Sequence, residues 1–466
     1  MTDPHLVAVI DIGKTNAKLA LFDLKARQEI DRLTMPNRVV GGGPYPHYDV
    51  DAIWDFLRSG LGRLGAAHRL DAISVTTHGA SAALLDGSGG LALPVLDYEH
   101  DGPESLAADY DRLRPAFAET GSPRLPNGLN LGAQLYWQSR QFPQDFARVA
   151  RIVTYPQYWA FRLSGVLANE ATSLGCHTDL WNHAAGDYST LVDRMGWRAL
   201  MPPLRRASDC LGPLRPDLAD RARLPQGIPV YCGIHDSNAS LYPHLLAQTP
   251  PFAVVSTGTW VVCLAIGGRR VELDPARDTL VNVDALGRPV PSARFMGGRE
   301  YELLGASLPA APTTGDESAV LRAGAMLLPS VVAGCGPFPT QAMRWVDAGA
   351  LTDGQRHLAI SWYLGLMSAT CLGLIGAEGP IIVEGPLSAN RAYLDMLSAA
   401  TGRELRLSRG ETTGTTLGAA LLCAGGSAPA DLASHRPDLP DLAAYAQSWN
   451  SRVAGRAGED AAGKRA

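Results

Sequence analysis

The stretch AVIDIGKTNAKLALFD (Ala8–Asp23) decides how this chain is read. Apolar runs flank it, Val7–Ile10 before and Leu19–Phe22 after, as two buried strands would. Between them lies a polar cluster of Asp11, Gly13, Lys14, Thr15 and Asn16. A glycine at a strand turn lets backbone N–H groups approach an anion closely. Thr and Asn side chains donate to phosphate oxygens, and a lysine supplies a point charge. Asp11 has the chemistry to hold Mg²⁺, directly or through water, because Mg²⁺ keeps several waters when it binds nucleotide phosphates. Taken alone, these residues are also compatible with an ordinary hairpin turn with polar tips.

A later stretch repeats the pattern. PFAVVSTGTWVVCLAIGG (Pro251–Gly268) is an apolar strand, a turn holding Ser256, Thr257, Gly258 and Thr259, and a second apolar strand. The repeat reads as an internal duplication, with a first domain over 1–239 and a second over 240–466. Two such turns would clamp a polyphosphate from both sides.

Other segments carry candidate chemistry. VYCGIHDSNASLY (Val230–Tyr242) reads as a strand, a turn and a helix start. Asp236, on a loop at a helix start, suits the acceptor of a hydroxyl proton in phosphoryl transfer. The alternative is a cap for a helix beginning at Ser237. DAISVTTHGASAALLD (Asp71–Asp86) reads as a hairpin whose first strand ends at His78 and Gly79. Gln134 and Trp137 lie one turn apart on a helix over Leu131–Gln141, Trp137 toward the core and Gln134 able to reach a ligand. The acidic run DYEHD (Asp97–Asp101) reads as a pocket rim or a solvated loop. Further helices are expected from an Asp51 N-cap with Ile53, Trp54, Leu57, Leu61 and Leu64 on one face, over Glu104–Thr120, and over Tyr155–Leu163.

Composition bounds the function. The chain has 466 residues, enough for two domains. A net charge of −5 without a Lys/Arg run argues against nucleic acid. The seven cysteines are odd in number and form no C-x-x-C, which argues against a disulfide scaffold or a zinc site and for reduced thiols in the cytoplasm. The N-terminus lacks the basic region of a signal peptide. Leu358–Ala377 is uncharged, but its glycines, serines and internal Trp362 and Tyr363 favour a buried core helix over a membrane span. After Gly425 the sequence predicts a Pro/Ala/Asp linker (GSAPADLASHRPDLPDL), an amphipathic helix over Leu442–Val453 and a disordered end, GRAGEDAAGKRA.

The order of these motifs over residues 6–425 resembles the FGGY carbohydrate kinases. DIGKTNAKLALFD resembles the family's first phosphate hairpin, GIHDSNAS its Gly-x-x-Asp catalytic segment, and STGTW its second phosphate hairpin. IIVEGPLSANRAYLDMLSAATG is similar to the adenosine motif, and GTTLGAALLCAG to the helix that closes the nucleotide pocket. The resemblance implies an α/β fold of two actin-like (ribonuclease H-like) domains around a nucleotide- and sugar-binding cleft, with a C-terminal tail from about 426. It implies ATP and Mg²⁺ as cofactors, Asp236 as catalytic base and Asp11 at the metal. Gly13, Lys14, Thr15, Asn16, Gly258, Thr259, Gly385 and Asn390 would meet ATP; His78, Gly79, Gln134 and His235 would meet the sugar. Ser388 is expected to cap the helix after it.

Two departures stand out. Pro386 and Leu387 follow Gly385 where the family carries a glycine run, and SWYLGL (Ser361–Leu366) lacks the family's charges, which suggests a neighbouring subunit. The GTW turn and the His235–Asp236 pair most resemble the rhamnulokinase and fuculokinase side. That implies a cytoplasmic kinase phosphorylating a ketose such as L-rhamnulose or L-fuculose at a primary hydroxyl. Its partners would be the sugar and ATP, without nucleic acid or membrane, and a homodimer is the default expectation. The alternatives are a kinase of xylulose, ribulose, glycerol or erythritol, or a non-catalytic sugar sensor on the same fold.

Overall fold

The computed structural model describes residues 4–305, 312–313, 315–349, 351–408, 414–424 and 432–463, with side chains in the last helix described as far as residue 455. These residues form two compact units. One takes the described residues of Met1–Ala247, Val281–Pro289 and Gly410–Pro429; the other takes those of Gln248–Leu280, Val290–Arg409 and Ala430–Ala466.

The first unit is built on strands β1 (Leu6–Ile12), β2 (Asn16–Asp23), β3 (Gln28–Pro36), β4 (Ala72–Thr77) and β5 (Pro229–Tyr231). They lie in the order β3-β2-β1-β4-β5. The hairpin β1–β2 is antiparallel, whereas β4 runs parallel to β1 and to β5. Val7, Ala8, Val9 and Ile10 are all fully buried, because the sheet is covered on both faces and so needs a continuous apolar run rather than alternation. Ala8 and Ile10 pack with Ile53, Leu57, Leu61, Tyr158 and Trp159, from the helices Val50–Ala67 and Tyr155–Ser164. Val7 and Val9 point the other way and meet Ala419 and Ala420 of the helix Gly414–Leu421. That helix lies so close to the helix Asp236–Ala247 that a Cβ on Gly418 would stand 1.7 Å from the Ala239 carbonyl oxygen.

The second unit repeats this order. Its strands are β6 (Phe252–Thr257), β7 (Val261–Ile266), β8 (Pro289–Phe295), β9 (Ile381–Glu384) and β10 (Leu405–Ser408). They run β8-β7-β6-β9-β10, with β6–β7 an antiparallel hairpin and β9 parallel to β6. The uncharged stretch forms the helix Asp353–Leu374, opened by a Thr352–Gln355 capping box. Trp362, Tyr363, Leu364 and Met367 are buried in the core of their own unit. SWYLGL is therefore covered by this chain's own side chains, not by a neighbouring subunit.

Several local expectations are corrected. The helix Val50–Ala67 is capped by Asp49, whose side chain accepts from Ala52 N, rather than by Asp51. Glu104–Thr120 is no single helix: a 3-10 turn (Gly102–Leu106) and two short helices (Ala107–Asp111, Phe117–Thr120) replace it, with Pro115 between the last two. His78 does not close a hairpin, because Ala82–Leu85 leaves the main sheet and pairs with Leu91–Leu93 and Arg151–Thr154. Of the expected linker, residues 426–431 lie outside the described residues, and Leu432–His435 is an edge strand antiparallel to β10. The final helix runs Pro440–Gly463, where a disordered end was expected.

That helix is held by Trp449, fully buried, whose Nε1 donates to the Leu327 carbonyl at 2.8 Å, and by Tyr445, whose hydroxyl donates to Ala325 O at 2.7 Å. Truncating a buried Trp to Ala costs ~3–5 kcal/mol in general. Trp449→Ala is therefore expected to lower the urea midpoint of the second unit markedly. A midpoint equal to the parent's would show that the C-terminal helix is not part of that core.

Candidate active site

Three parallel strands of the first unit end in step. Asp11 of β1 lies beside Thr76 of β4, and Thr77 of β4 lies beside His235 of the short strand Ile234–His235. The chain then leaves each strand at Ile12–Gly13, at His78 and at Asp236. His78 N donates to Ile12 O at 2.9 Å, which ties two of these exits together. Ligands of α/β sheets collect at the carboxyl ends of parallel strands, and the site is assembled there.

His78 is buried. Its Nδ1 bonds the Gly79 carbonyl at 2.9 Å, so Nδ1 carries the proton and Nε2 is left as an acceptor. Nε2 is buried without a partner among the described residues. The rings of Tyr48, Tyr98 and Tyr155 stand 5.0, 5.4 and 5.1 Å away. Burial pulls the His78 imidazole down to about 4, and the nearby Asp236 only partly offsets this. His235 is likewise pulled down to about 4 by burial. Its Nε2 stands 3.2 Å from Asp236 Oδ1, and Asn238 Nδ2 lies 3.4 Å from its Nδ1. Gly79 permits this arrangement: a Cβ there would come within 2.7 Å of His235 Nε2.

Asp236 opens the helix Asp236–Ala247 and accepts from Ser237 N at 2.6 Å through Oδ1. About a third of its side chain is open to solvent (32%), enough for a ligand to reach Oδ2. Loss of water around the carboxylate raises its pKa, and His78 and Ser237 oppose the rise. Asp11 is raised for the same reason; Lys18 opposes, and the charge of Asp236 adds to the rise.

Lys18 was missed in the sequence, although the hairpin register predicts it. With Ala17 opposite Ile12, Lys18 falls opposite Asp11. Its Nζ is 3.3 Å from Asp11 Oδ2 and 3.8 Å from Glu29, and donates to Thr416 Oγ1 at 2.5 Å. Among the described residues no group of three or more His, Cys, Asp or Glu could hold a metal by protein ligands alone. A single desolvated carboxylate does fit Mg²⁺ that arrives on nucleotide phosphates and keeps its waters.

Lys14 is not directed at an empty turn. Its Nζ pairs with Asp97 and, at 3.2 Å, with Glu99, and lies 4.6 Å from the centre of the Tyr98 ring. Thr15 and Asn16 are exposed, with Asn16 Nδ2 donating to Thr15 Oγ1 at 3.1 Å, and Gly13 N closes the turn on Asn16 O at 2.9 Å. Gln134 is buried and spends its Nε2 on Ala80 O, at 2.6 Å, and on Gly128 O, so it shapes the wall through backbone. Trp137 packs in the core of this region.

In the second unit the exits of β6 and β9 also lie side by side, Ser256 beside Glu384. Gly258 N bonds Trp260 O at 2.9 Å, and Gly258 and Thr259 are exposed. Gly385 has φ +81°, and a Cβ there would overlap Thr257 O at 1.9 Å, so only glycine fits. Thr257 Oγ1 donates to Glu384 O at 2.5 Å and accepts from Leu387 N at 3.1 Å. Asn390, rather than Ser388, caps the following helix by accepting from Tyr393 N at 3.1 Å; its Nδ2 donates to Ser361 Oγ at 2.9 Å. A cavity of about 610 Å³ opens here, lined by Tyr301, His357, Ser361, Pro386, Asn390 and Asp395 among others.

Comparison with known proteins identifies the class. Residues 6–242 match the FGGY family of carbohydrate kinases, N-terminal domain, and residues 249–431 match the carbohydrate kinase FGGY C-terminal domain. The chain belongs to the FGGY family of carbohydrate kinases, and its two units are the family's two actin-like domains. A carbohydrate kinase from Novosphingobium aromaticivorans superposes with a TM-score of 0.90 at 36% identity, over 98% of this chain and 99% of that one. L-fuculokinase from Escherichia coli (strain K12) is 26% identical over 56% of this chain and 56% of its own length. Rhamnulokinase from Yersinia pestis (strain Pestoides F) is 28% identical over 40% and 39%. The chain thus matches about half the length, or less, of these curated relatives.

Both imidazoles of the site are expected to stay neutral well below the ordinary histidine range. Their depressed values mean that the stability they contribute is present above about pH 6.5 and is lost as pH falls toward 4. Nitrogen-15 NMR of the histidine rings at pH 5.5 should show His78 and His235 as neutral tautomers. Imidazolium signals from both at that pH would contradict the electrostatics described here.

Proposed function

We propose that the protein is an ATP-dependent kinase that phosphorylates a neutral ketose at a primary hydroxyl, in the cytoplasm, with Asp236 as the general base. One observation carries the reading. A partly open carboxylate whose Oδ2 takes no bond among the described residues sits near a buried, neutral histidine whose Nε2 has no donor among them. A sugar hydroxyl that donates to His78 Nε2 would relieve that orphan acceptor. A second hydroxyl would pass its proton to Asp236 as it attacks phosphorus. The loss of water around Asp236 raises its basicity, which suits proton abstraction.

Family membership supports ATP as donor, generally with Mg²⁺. Asp11 would hold the ion through water or directly, and the ion would offset phosphate charge. Lys18 keeps Asp11 in place. The exposed turn residues Thr15 and Asn16 beside Gly13 are suited to phosphate oxygens, as is Thr259 beside Gly258 in the second unit. Asn390 lines the cavity suited to adenosine, and Gly385 precedes Pro386 in its wall. His235 stands against Asp236, where it would meet the same sugar hydroxyl, and Gly79 makes room for His235. The L-fuculokinase and rhamnulokinase matches favour a 6-deoxyketohexose as acceptor.

The test is a panel of L-fuculose, L-rhamnulose, xylulose, ribulose, glycerol, erythritol and an aldonate, with coupled ADP detection. A ketose should be the best acceptor; glycerol exceeding every ketose would overturn the substrate class. Asp236→Asn should lower kcat roughly 10²-fold or more with nucleotide affinity little changed. Near-parental turnover would leave Asp236 as a helix-end residue only.

The phosphate turns are tested separately. Among the described residues a Cβ at Gly258 meets nothing nearer than Trp260 O at 3.8 Å, so Gly258→Val should fold and yet obstruct approach of a phosphate to the backbone. It and Thr15→Ala should weaken binding of an ATP analogue more than binding of sugar. Unchanged calorimetric affinity for the analogue in both variants would refute the assignment.

A further inference from the structure

Lys14 stands in a turn whose chemistry suggests phosphate, yet its side chain is committed elsewhere. Nζ pairs with Asp97 Oδ1 and with Glu99 Oε2 at 3.2 Å, and its third contact is Tyr48 Oη at 3.4 Å. It lies over the Tyr98 ring at 4.6 Å and the Tyr48 ring at 5.3 Å. These two rings are among the three packed on His78, at 5.4 and 5.0 Å. Asp97 is nearly buried, and all its bonds, from Lys14, Tyr48 Oη and Glu99 N, fall on Oδ1; Oδ2 takes none among the described residues. The cluster therefore presents unused acceptors, Asp97 Oδ2 and the second oxygen of Glu99, next to the aromatic rings that hold the orphaned His78 Nε2.

We propose that Lys14, Asp97 and Glu99 form a recognition element for the acceptor sugar, reading hydroxyls distant from the one phosphorylated, and that Lys14 serves the acceptor and not the nucleotide phosphates. This rests on the kinase reading above and deepens it. Reaching a phosphate would require Lys14 to leave Asp97, stranding a nearly buried carboxylate without its counter-charge. A sugar hydroxyl demands no such break. It can donate to a free carboxylate oxygen while accepting from the ammonium, so the ion pair stays intact. The aromatic faces of Tyr48 and Tyr98 supply apolar surface for the sugar's C–H groups. One cation against two carboxylates also leaves the element net negative, which disfavours a sugar acid and favours a neutral polyhydroxyl ligand.

The experiment compares the KM for ATP and for the best ketose of the panel in the parent, Lys14→Ala and Glu99→Gln, with thermal midpoints as a folding control. Lys14→Ala should raise the sugar KM about 10- to 100-fold, the scale of a lost hydrogen bond to a charged group, and leave the ATP KM within about 2-fold. Glu99→Gln, at an exposed carboxylate (63%), should raise the sugar KM several-fold without disturbing the fold. A rise in the ATP KM with the sugar KM unchanged would make Lys14 a phosphate ligand and overturn the inference. Parental constants for both substrates in Lys14→Ala would reduce the cluster to a structural ion pair. Should Lys14→Ala fail to fold, a parental sugar KM in Glu99→Gln overturns the inference on its own. A parent that turns over no sugar overturns the kinase reading, and the inference with it; a working parent confines any failure to the inference.

Discussion

Everything at the candidate site depends on the parallel register of β4 with its two neighbours. Had β4 slipped by one residue against β1, the Thr76–Asp11 and Thr77–Ile12 pairings would be lost and each side chain would turn to the opposite face. The register is pinned from several directions. β1 is buried on both faces, so any slip would exchange the residues meeting two different helical layers. His78 N bonds Ile12 O beyond the last strand pair. Thr172 Oγ1 accepts from His235 N at 3.1 Å and itself donates to the buried Glu170 Oε2 at 2.5 Å, which fixes the third strand end from behind. A rigid apolar sheet thus delivers three polar groups, Asp11, His78 and Asp236, to one end.

The electrostatics follow from that placement. The charge of Asp236 is felt at Asp11, and loss of water raises the pKa of both carboxyls. Lys18 is the compensating cation, held on β2 opposite Asp11 by hairpin register. The histidines compensate little: burial pulls both well below the ordinary histidine range, and only His78 is felt at Asp236. A site with two desolvated carboxylates and one committed lysine is poised to receive positive charge or hydroxyl donors.

The sequence disclosed the parts of this arrangement that are written as local patterns. Both hairpins, the Asp236 helix start and the helix at Leu131–Gln141 follow from periodicity and turn chemistry, and the repeated hairpin announced the repeated strand order. What the sequence did not disclose are contacts between segments far apart in the chain. The ion pairs of Lys14 with Asp97 and Glu99 are contacts of this kind. So are the bonds of the Gln134 amide to Ala80 O and Gly128 O. Composition misled at the C-terminus, where alanine, proline and aspartate suggested a linker. The strand Leu432–His435 instead gains its hydrogen bonds from β10, which local propensity does not register.

The Pro386–Leu387 departure in the second unit has a physical resolution. A run of glycines is needed only where successive backbone atoms must pass close to something without a Cβ. Here the close approach is made once, at Gly385, against Thr257 O, in the left-handed half of φ space. The next residue starts a 3-10 turn, Pro386–Ala389, at a position where a proline's fixed φ fits and its missing N–H is not required. Leu387 N, the first amide available, finds Thr257 Oγ1 at 3.1 Å, and the Leu387 side chain is buried against the core. The turn is therefore stiffened by the proline, anchored by the leucine and locked to the β6 exit by one threonine. Rigidity replaces the conformational freedom of a glycine run while the wall of the neighbouring cavity, from Pro386 to Asn390, keeps its place.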